Sequence, residues 1–256
     1  MDIRGRRILL TGASGGLGGA IARELGRRGA HLVLTARRKE LLDELAAELG
    51  AEVVVADLSD RDDVDELIEL STGVDVLVLN AGIGGDTVIE ELTAGQIDTV
   101  IDVNLRAPVQ MSVAYAQHLL EERRPGQIVL VGSLSGLAAS PNTRMYNATK
   151  FGLRGFAHSL RQDLDGTPVG VTLVSPGFIR DAGMFAEGGI ELPPGVRTKS
   201  PQDVADGVVK AIESNPAEVF VSPIELRLGA TFATVAPGIS AAVQKRVGAK
   251  EITGNR

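Results

Sequence analysis

The chain alternates short apolar runs with longer stretches of helical periodicity. The apolar runs predict seven β-strands, at residues 6–11, 31–35, 52–56, 74–79, 126–132, 169–174 and 218–221. The stretches between them predict helices, the clearest at residues 21–28, 40–49, 60–70, 93–123, 145–164 and 201–214. Because strands and helices alternate, and the strands are nearly continuous in apolar residues, we expect a mostly parallel sheet covered on both faces. The expected architecture is a doubly wound, Rossmann-type α/β fold with strand order 3-2-1-4-5-6-7.

A glycine-rich turn follows the first predicted strand and precedes a helix. Residues 11–18 read Thr-Gly-Ala-Ser-Gly-Gly-Leu-Gly and fit both the G-x-x-x-G-x-G and the G-x-x-G-x-x-G spacing. Glycines let a pyrophosphate approach the backbone, and the helix N-terminus supplies free N–H groups for it. The turn therefore predicts a dinucleotide site, with contacts from Gly12, Ser14, Gly16, Leu17 and Gly18.

Two arginines follow the second predicted strand. In dinucleotide-binding folds an acidic residue at the end of this strand holds the ribose 2′-hydroxyl, whereas an arginine accepts a 2′-phosphate. Here Ala36 stands where the acid is expected, and Arg37 and Arg38 come next. A guanidinium group binds a phosphate dianion in a bidentate manner. The pattern favours NADP(H) over NAD(H).

Three side chains around the fifth strand form a candidate catalytic group. Ser133 lies at the carboxyl end of that strand, where ligands bind in open α/β sheets. Tyr146 and Lys150 are one helical turn apart, so both can reach one bound molecule. We expect the ammonium to lower the pKa of the phenol, while the serine hydroxyl holds a substrate oxygen. The group predicts general acid/base catalysis on a carbonyl or alcohol, although Tyr-x-x-x-Lys alone also fits a core aromatic residue and a surface lysine.

Composition excludes several other classes of function. The 256 residues carry a net charge of −7 without a long basic run, so no nucleic-acid partner is expected. The chain has no cysteine, and its three histidines lack metal-ligand spacing, so we expect neither disulfides nor a metal site. The N-terminus lacks the apolar region of a signal peptide, which predicts a cytoplasmic enzyme.

Together these motifs resemble the short form of the short-chain dehydrogenase/reductase family, over roughly residues 5–222. The matching elements are Thr11-Gly12-x-x-x-Gly16-x-Gly18, Asp57-Leu58, Asn80-Ala81-Gly82, Asn104, Ser133, Tyr146-x-x-x-Lys150 and Pro176-Gly177. The resemblance implies one oxidoreductase domain over residues 1–256. It would transfer a hydride between nicotinamide and a carbonyl or alcohol substrate. An apolar substrate is favoured by Leu137, beyond the serine, and by four residues of segment 178–200: Met184, Phe185, Ile190 and Leu192.

The resemblance also implies a role for each residue. Tyr146 would be the acid/base, Lys150 would lower its pKa and bind the nicotinamide ribose, and Ser133 would hold the substrate oxygen. Asn104, in the middle of a predicted helix, would anchor a water in a proton relay through Lys150. The other implied cofactor contacts are Asp57, Leu58, Asn80, Ala81, Gly82, Pro176, Gly177 and Ile179.

Two positions depart from the family pattern. Leu79 replaces a frequent asparagine, and Asp181 replaces a threonine that usually contacts the nicotinamide carboxamide.

Two other functions fit the sequence less well. A sugar-nucleotide epimerase or dehydratase shares the second glycine spacing, but those enzymes carry a larger C-terminal domain than the 35 residues found here. A non-catalytic NADP-binding scaffold would not be expected to keep all four candidate catalytic residues.

Two segments do not follow the alternation of strands and helices. Residues 178–200 are rich in glycine and proline, and we predict a functional lid there. Residues 224–248 are predicted to form a helical extension; the uncharged stretch 228–243 is too short for a membrane span of about 20 residues. We interpret its apolar face as a cover for the substrate mouth or for a neighbouring subunit, with contact to a membrane surface as the alternative. The expected assembly is a homodimer or homotetramer.

Overall fold

Seven parallel strands form a single sheet in the computed structural model, which describes residues 1–84, 88–182 and 197–246, the side chain of Gln244 excepted. The strands are β1 (Arg7–Thr11), β2 (His31–Ala36), β3 (Glu52–Val55), β4 (Val76–Leu79), β5 (Gly126–Val131), β6 (Val169–Pro176) and β7 (Glu218–Val221). Their order is β3-β2-β1-β4-β5-β6-β7. This confirms the predicted fold class and strand order.

Helices connect the strands and cover both faces of the sheet. They are α1 (Gly16–Arg27), α2 (Lys39–Leu49), α3 (Arg61–Ser71), α4 (Ala94–Ile101), α5 (Ala107–Glu121), α6 (Arg144–Asp163), α7 (Pro201–Ser214), α8 (Ile224–Val235) and α9 (Pro237–Arg246). Short 3₁₀ turns lie at Ile89–Glu91 and Leu134–Gly136. The predicted helix boundaries agree with these to within a few residues, except in the long segment 93–123.

The strand period of two explains the two cores. In β1, Ile8 and Leu10 face one side of the sheet and pack with Ile21 of α1. Leu9, between them, faces the other side and packs with Met111 of α5. Successive residues of a strand point to opposite faces, so an apolar strand requires helices on both sides.

The predicted helix over residues 93–123 is interrupted. A π-helical turn at Asp102–Arg106 separates α4 from α5, and Asn104 lies within it. Such turns insert one extra residue into a helix and occur frequently at functional sites. Asn104 therefore lies in a π turn and not in a regular helix.

The C-terminal stretch forms two helices, α8 and α9, separated at Ala236. Ala230 and Ala233 of α8 face the body of the protein and are buried, whereas Leu228 and Phe232 are exposed. The small residues of α8 therefore occupy its inner side, and the cover of a substrate mouth or of a neighbouring subunit stays a prediction. Within the described ranges, no helix has the length and hydropathy needed to cross a bilayer.

Candidate functional site

The glycine turn forms a close-fitting cradle between β1 and α1. Gly12 has a φ of +69°, and a Cβ built on it would lie 2.8 Å from Cα of Ala81. A Cβ on Gly18 would lie 2.1 Å from the carbonyl oxygen of Gly12. Gly15 caps α1 without a side-chain hydrogen bond, and the first helical turn has no acidic residue. The helix N-terminus therefore keeps its positive end available for a pyrophosphate, and the cradle fits the predicted dinucleotide.

The two predicted arginines border this cradle. Arg38 donates from Nη2 to the backbone oxygen of Ser14 at 2.7 Å and from Nε to its hydroxyl at 3.3 Å. Nη1 of Arg37 lies 3.5 Å from the Asp57 carboxylate. Burial raises the pKa of Asp57, but hydrogen bonds from Ser59 and the nearby Arg37 outweigh it and leave the pKa below its usual value. Two cations and one carboxylate thus surround the expected adenosine end of the site.

Asn80 joins the ends of two strands. Its side-chain nitrogen donates to the carbonyl oxygens of Thr11 at 3.0 Å and Gly12 at 3.3 Å. The Thr11 hydroxyl in turn accepts from the backbone N–H groups of Asn80 and Ala81, at 3.0 and 3.1 Å. The amide of Asn80 therefore holds the glycine turn against the end of β4. Sequence reasoning used Thr11 only as part of the glycine motif and missed this role.

The structure brings Ser133, Tyr146 and Lys150 together. Ser133 follows β5, and its hydroxyl hydrogen-bonds the phenol of Tyr146. Lys150 lies one turn further along α6, with Nζ 5.6 Å from the centre of the Tyr146 ring. The ammonium donates to the carbonyl oxygen of Val131 at 2.9 Å. A hydroxyl, a phenol and an ammonium therefore meet at the carboxyl end of β5.

Burial controls the pKa values of this group. Burial raises the pKa of Tyr146 above its usual value of 10, and the hydrogen bond from Ser133 opposes that rise only in part. Burial also lowers the pKa of Lys150 to about 8. The expected lowering of the phenol pKa by the ammonium is thus not found, because desolvation dominates and the Lys150 ammonium is bonded to Val131.

The side-chain amide of Asn104 is bonded to protein groups. Its oxygen accepts from the Ile83 N–H at 2.8 Å, and its nitrogen donates to the Ile83 carbonyl at 2.8 Å and the Thr149 hydroxyl at 3.3 Å. Asn104 therefore ties the π turn to the segment after β4 and to α6. A Cβ on Gly82 would lie 3.5 Å from both the Asn104 amide oxygen and Nζ of Lys150, so these groups face one small space. The water relay stays a prediction.

The end of β6 borders the same region. Gly177 donates to the carbonyl of Val221 at 3.0 Å, and a Cβ on it would lie 3.2 Å from Leu134. Ile179 is buried and pairs with Lys199, which closes the base of the predicted lid. Residues 183–196 of that lid lie outside the described residues. Asp181, the departure from the family pattern, has a φ of +68° and an exposed carboxylate 3.4 Å from Arg180.

A sequence model of the family described as short chain dehydrogenase matches residues 6–189, which is more than half of the chain. The chain belongs to the short-chain dehydrogenase family. It is an NAD(P)-dependent oxidoreductase.

Individual relatives agree with this assignment. The chain is 41% identical over 187 residues to nodulation protein G of Rhizobium sp. strain N33, covering 71% of this chain and 76% of that protein. It is 34% identical over 182 residues to the 3-oxoacyl-[acyl-carrier-protein] reductase FabG of Rickettsia conorii, covering 70% and 75%. A short-chain dehydrogenase from Sphingobium yanoikuyae, solved with NADPH, superimposes with a TM-score of 0.78 at 25% identity, covering 93% and 95%.

Two further residues shape the site of this dehydrogenase, and sequence reasoning missed both. Asn147 is buried, and its nitrogen donates to the carbonyls of Ser135 at 2.7 Å and Ala138 at 3.0 Å, which holds the segment after Ser133 against α6. A Cβ on Gly136 would lie 2.7 Å from the carbonyl oxygen of Lys150. An asparagine inside a helix was the available signal for the first. For Gly136 the sequence contains no signal beyond the presence of a glycine in a short turn.

Proposed function

We propose that the enzyme reduces the carbonyl group of an apolar substrate with NADPH, and that Tyr146 is its general acid. One observation carries the proposal: the Ser133 hydroxyl hydrogen-bonds the Tyr146 phenol, with the Lys150 ammonium one helical turn away and close to the same ring. A hydroxyl and a phenol side by side can bind one carbonyl oxygen together. This is the geometry that general acid catalysis on a carbonyl requires.

Each side chain has a distinct part in the proposed reaction. When bound, the nicotinamide supplies the hydride. Ser133 holds the substrate oxygen by a hydrogen bond, and Tyr146 gives that oxygen its phenolic proton. Lys150 places a positive charge near the phenolate that remains. Because burial raises the Tyr146 pKa, the phenol stays protonated at neutral pH, which is the form that reduction needs.

The preference for NADP(H) rests on the charges beside the glycine cradle. Arg38 is already bonded to Ser14, and Arg37 lies at the edge of the same space with its side chain 60% exposed. A 2′-phosphate placed between them would receive charge-assisted hydrogen bonds from both. The NADPH complex of the Sphingobium relative agrees with this preference.

The proposed substrate carries a ketone group. The Rickettsia relative is a 3-oxoacyl-[acyl-carrier-protein] reductase, so its substrate has a ketone group. We propose the same chemical group for this enzyme. The apolar character was inferred from Met184, Phe185, Ile190 and Leu192, which lie outside the described residues, and from Leu137, which is buried in the core.

The decisive experiment compares the two tyrosines of the chain. The full-length protein is mixed with NADPH and a panel of ketones, aldehydes and 3-oxoacyl thioesters, and nicotinamide absorbance is followed. With any accepted substrate, Tyr146→Phe should lower kcat by about 10²-fold or more, the typical contribution of a general acid. Its Kd for NADPH should stay within about twofold of the wild-type value, since removing one hydroxyl leaves the cofactor cradle intact.

Tyr115→Phe is the matched control. Tyr115 is fully buried, and its hydroxyl bonds the carbonyl of Val74 at 3.3 Å. Val74 precedes β4, so this bond lies at the amino ends of the parallel strands, whereas Ser133 lies at their carboxyl ends. This variant should keep wild-type turnover. Wild-type turnover in Tyr146→Phe would refute the acid assignment, and failure of every carbonyl in the panel with both NADPH and NADH would refute the proposed reaction.

A further inference from the structure

Six large apolar side chains line the outer side of α8 and α9. They are between 51% and 81% exposed and recur every three or four residues: Ile224, Leu228, Phe232, Val235, Ile239 and Val243. Within each of the two helices, this spacing places side chains on one face. We call this set the apolar stripe.

The apolar stripe points away from the protein, whereas the apolar side of an ordinary amphipathic helix packs against the core. In α8 the residues packed against the protein are small, with Ala230 and Ala233 each 7% exposed. Phe232, between them in sequence, is 51% exposed and points outward. A surface helix normally turns its large apolar side chains towards the core. In the part of the chain that the structure describes, the stripe has no such core to face, which indicates an external partner.

Charge separates this region from the rest of the chain. Residues 1–223 contain 21 Lys and Arg against 31 Asp and Glu, a net charge of −10, whereas residues 224–256 contain five against two, a net charge of +3. Arg227, Lys245 and Arg246 lie on the same two helices as the stripe. Glu225 is the one acidic residue of these helices, and it is paired with Arg197 at 2.8 Å. The partner that complements this region is therefore both apolar and anionic.

We propose that the apolar stripe docks on the surface of a bilayer that contains anionic lipids. The two helices, of 12 and 10 residues, are too short to cross the hydrocarbon core of about 30 Å. Helices of this kind lie in the interface, with apolar side chains among the acyl chains and cations near the headgroups. A second copy of the chain is disfavoured as the partner, because stripe-to-stripe packing would bring the cations of both copies together.

The test is co-sedimentation of the full-length protein with lipid vesicles. One set contains phosphatidylcholine alone, and the other contains phosphatidylcholine mixed with phosphatidylglycerol. The wild type should bind the mixed vesicles more tightly, and added salt should weaken that binding. Leu228→Ser/Phe232→Ser should weaken it at least tenfold. Lys245→Gln/Arg246→Gln should weaken it by roughly fivefold per charge, on the mixed vesicles only.

Control variants separate the stripe from general surface hydrophobicity. Leu120→Ser and Val55→Ser change exposed apolar residues of α5 and β3, at 40% and 46% exposure, and both should bind vesicles as the wild type does. Circular dichroism and thermal unfolding check that every variant is folded, and the charge variant leaves the apolar residues intact.

Three outcomes would overturn the proposal. They are absence of wild-type binding to the mixed vesicles, equal binding by the stripe variant, and equal binding to both vesicle types. Sedimentation velocity tests a fourth outcome. If the wild type is a dimer that does not bind vesicles, and if Leu228→Ser/Phe232→Ser dissociates it, the stripe is a subunit interface instead. None of these measurements depends on catalytic activity.

Discussion

Among single residues, the arginine pair gives the most direct control over cofactor choice. Arg37 stands beside Asp57 at the edge of the glycine cradle. In Arg37→Asp a second carboxylate would replace the cation that a 2′-phosphate needs. Loss of a charge-assisted hydrogen bond costs about 1.5–3 kcal/mol, so the Kd for NADPH should rise by tenfold or more while that for NADH falls. Isothermal titration calorimetry with both cofactors measures the change.

The control for this substitution is Arg4→Asp. Arg4 is an exposed arginine that precedes β1, so it lies near the amino ends of the strands, whereas the site lies at their carboxyl ends. Arg4→Asp makes the same change of charge, so it should alter both cofactor affinities only slightly, through the overall field of the protein. Equal affinity of the wild-type enzyme for NADPH and NADH would contradict the proposed preference.

Lys150 should give the stability of the protein a characteristic pH dependence. Burial lowers its pKa to about 8, from 10.5 for an ordinary lysine. Between these values the unfolded chain binds a proton that the folded chain has lost, so stability increases with pH in that window. Relative to Lys150→Met, the wild-type free energy of unfolding should rise by about 2 kcal/mol from about pH 8 to about pH 9.5. Urea titrations across this range measure it.

Lys210→Met is the matched control, because Lys210 is exposed on α7. Its stability should follow the wild type through the same pH range. A constant difference between wild type and Lys150→Met from pH 7 upward would show that the buried ammonium does not titrate there.

At the residue scale, sequence spacing predicted contacts between residues of one helix and missed contacts between residues far apart in the chain. Tyr146 and Lys150 share a helix face, so their proximity follows from four residues of separation. The bonds of Asn80 to Thr11, and of Asn104 to Ile83, span 69 and 21 residues. No period in the sequence encodes such pairs. The raised Tyr146 pKa was likewise missed, since burial is a property of the whole fold.

Among the elements, the contact between α6 and the turn Leu134–Gly136 sets the geometry of the catalytic group. Gly136 touches the backbone of Lys150, so Gly136→Ala must push the turn away from α6. That movement would separate Ser133 from Tyr146. We expect a destabilisation of about 1–3 kcal/mol, typical of overpacking, together with a fall in kcat that exceeds any change in the Kd for NADPH. Thermal unfolding, steady-state kinetics and cofactor titration measure the three effects.

Gly155→Ala in the same helix is the control. A Cβ on Gly155 meets nothing within 4 Å, so alanine should stabilise α6 by about 0.5–1 kcal/mol and leave kcat unchanged. If Gly136→Ala behaved in the same way, the turn would not be held by this contact.

The elements themselves were largely predictable, because apolar strands and amphipathic helices have different periods. The π turn at Asp102–Arg106 was not, since nothing in its own sequence distinguishes it from the helix on either side. The orientation of α8 could not be predicted either. Periodicity shows which residues share a face, but it does not show whether that face meets the core or the outside. Exposure of Leu228 and Phe232 is therefore information that only the structure carries.

For the molecule as a whole, the buried carboxylate of Glu24 connects α1 to α7. Glu24 of α1 has a side chain only 5% exposed and bonds Arg27 and Arg28, both at 2.7 Å. It also accepts from Gln202 of α7 at 3.3 Å, and Arg28 continues to Glu213 of the same helix at 3.0 Å. This network joins α1 and α7, which pack together beneath the glycine cradle on one face of the sheet.

The network predicts how the protein loses stability in acid. Hydrogen bonds from Arg27, and then from Arg28, hold the pKa of Glu24 at about 2, below the usual 4.5. The folded state therefore binds fewer protons than the unfolded state between these values. The resulting stabilisation is complete above pH 4.5 and is lost as the pH falls towards 2. It amounts to about 3 kcal/mol, reduced to about 2 by the solvent around Arg27.

Glu24→Gln should lower the free energy of unfolding by about 2 kcal/mol at neutral pH and remove this acid-dependent part of the stability curve. Glu48→Gln offers the same chemistry on the surface, since Glu48 pairs with Arg23 at 2.8 Å but is 47% exposed. Exposed pairs contribute about 0–1 kcal/mol, so that variant should stay close to the wild type. Urea unfolding at pH 7 and at about pH 3 separates the two carboxylates. Equal curves for the two variants would mean that the α1–α7 network adds no more than a surface ion pair.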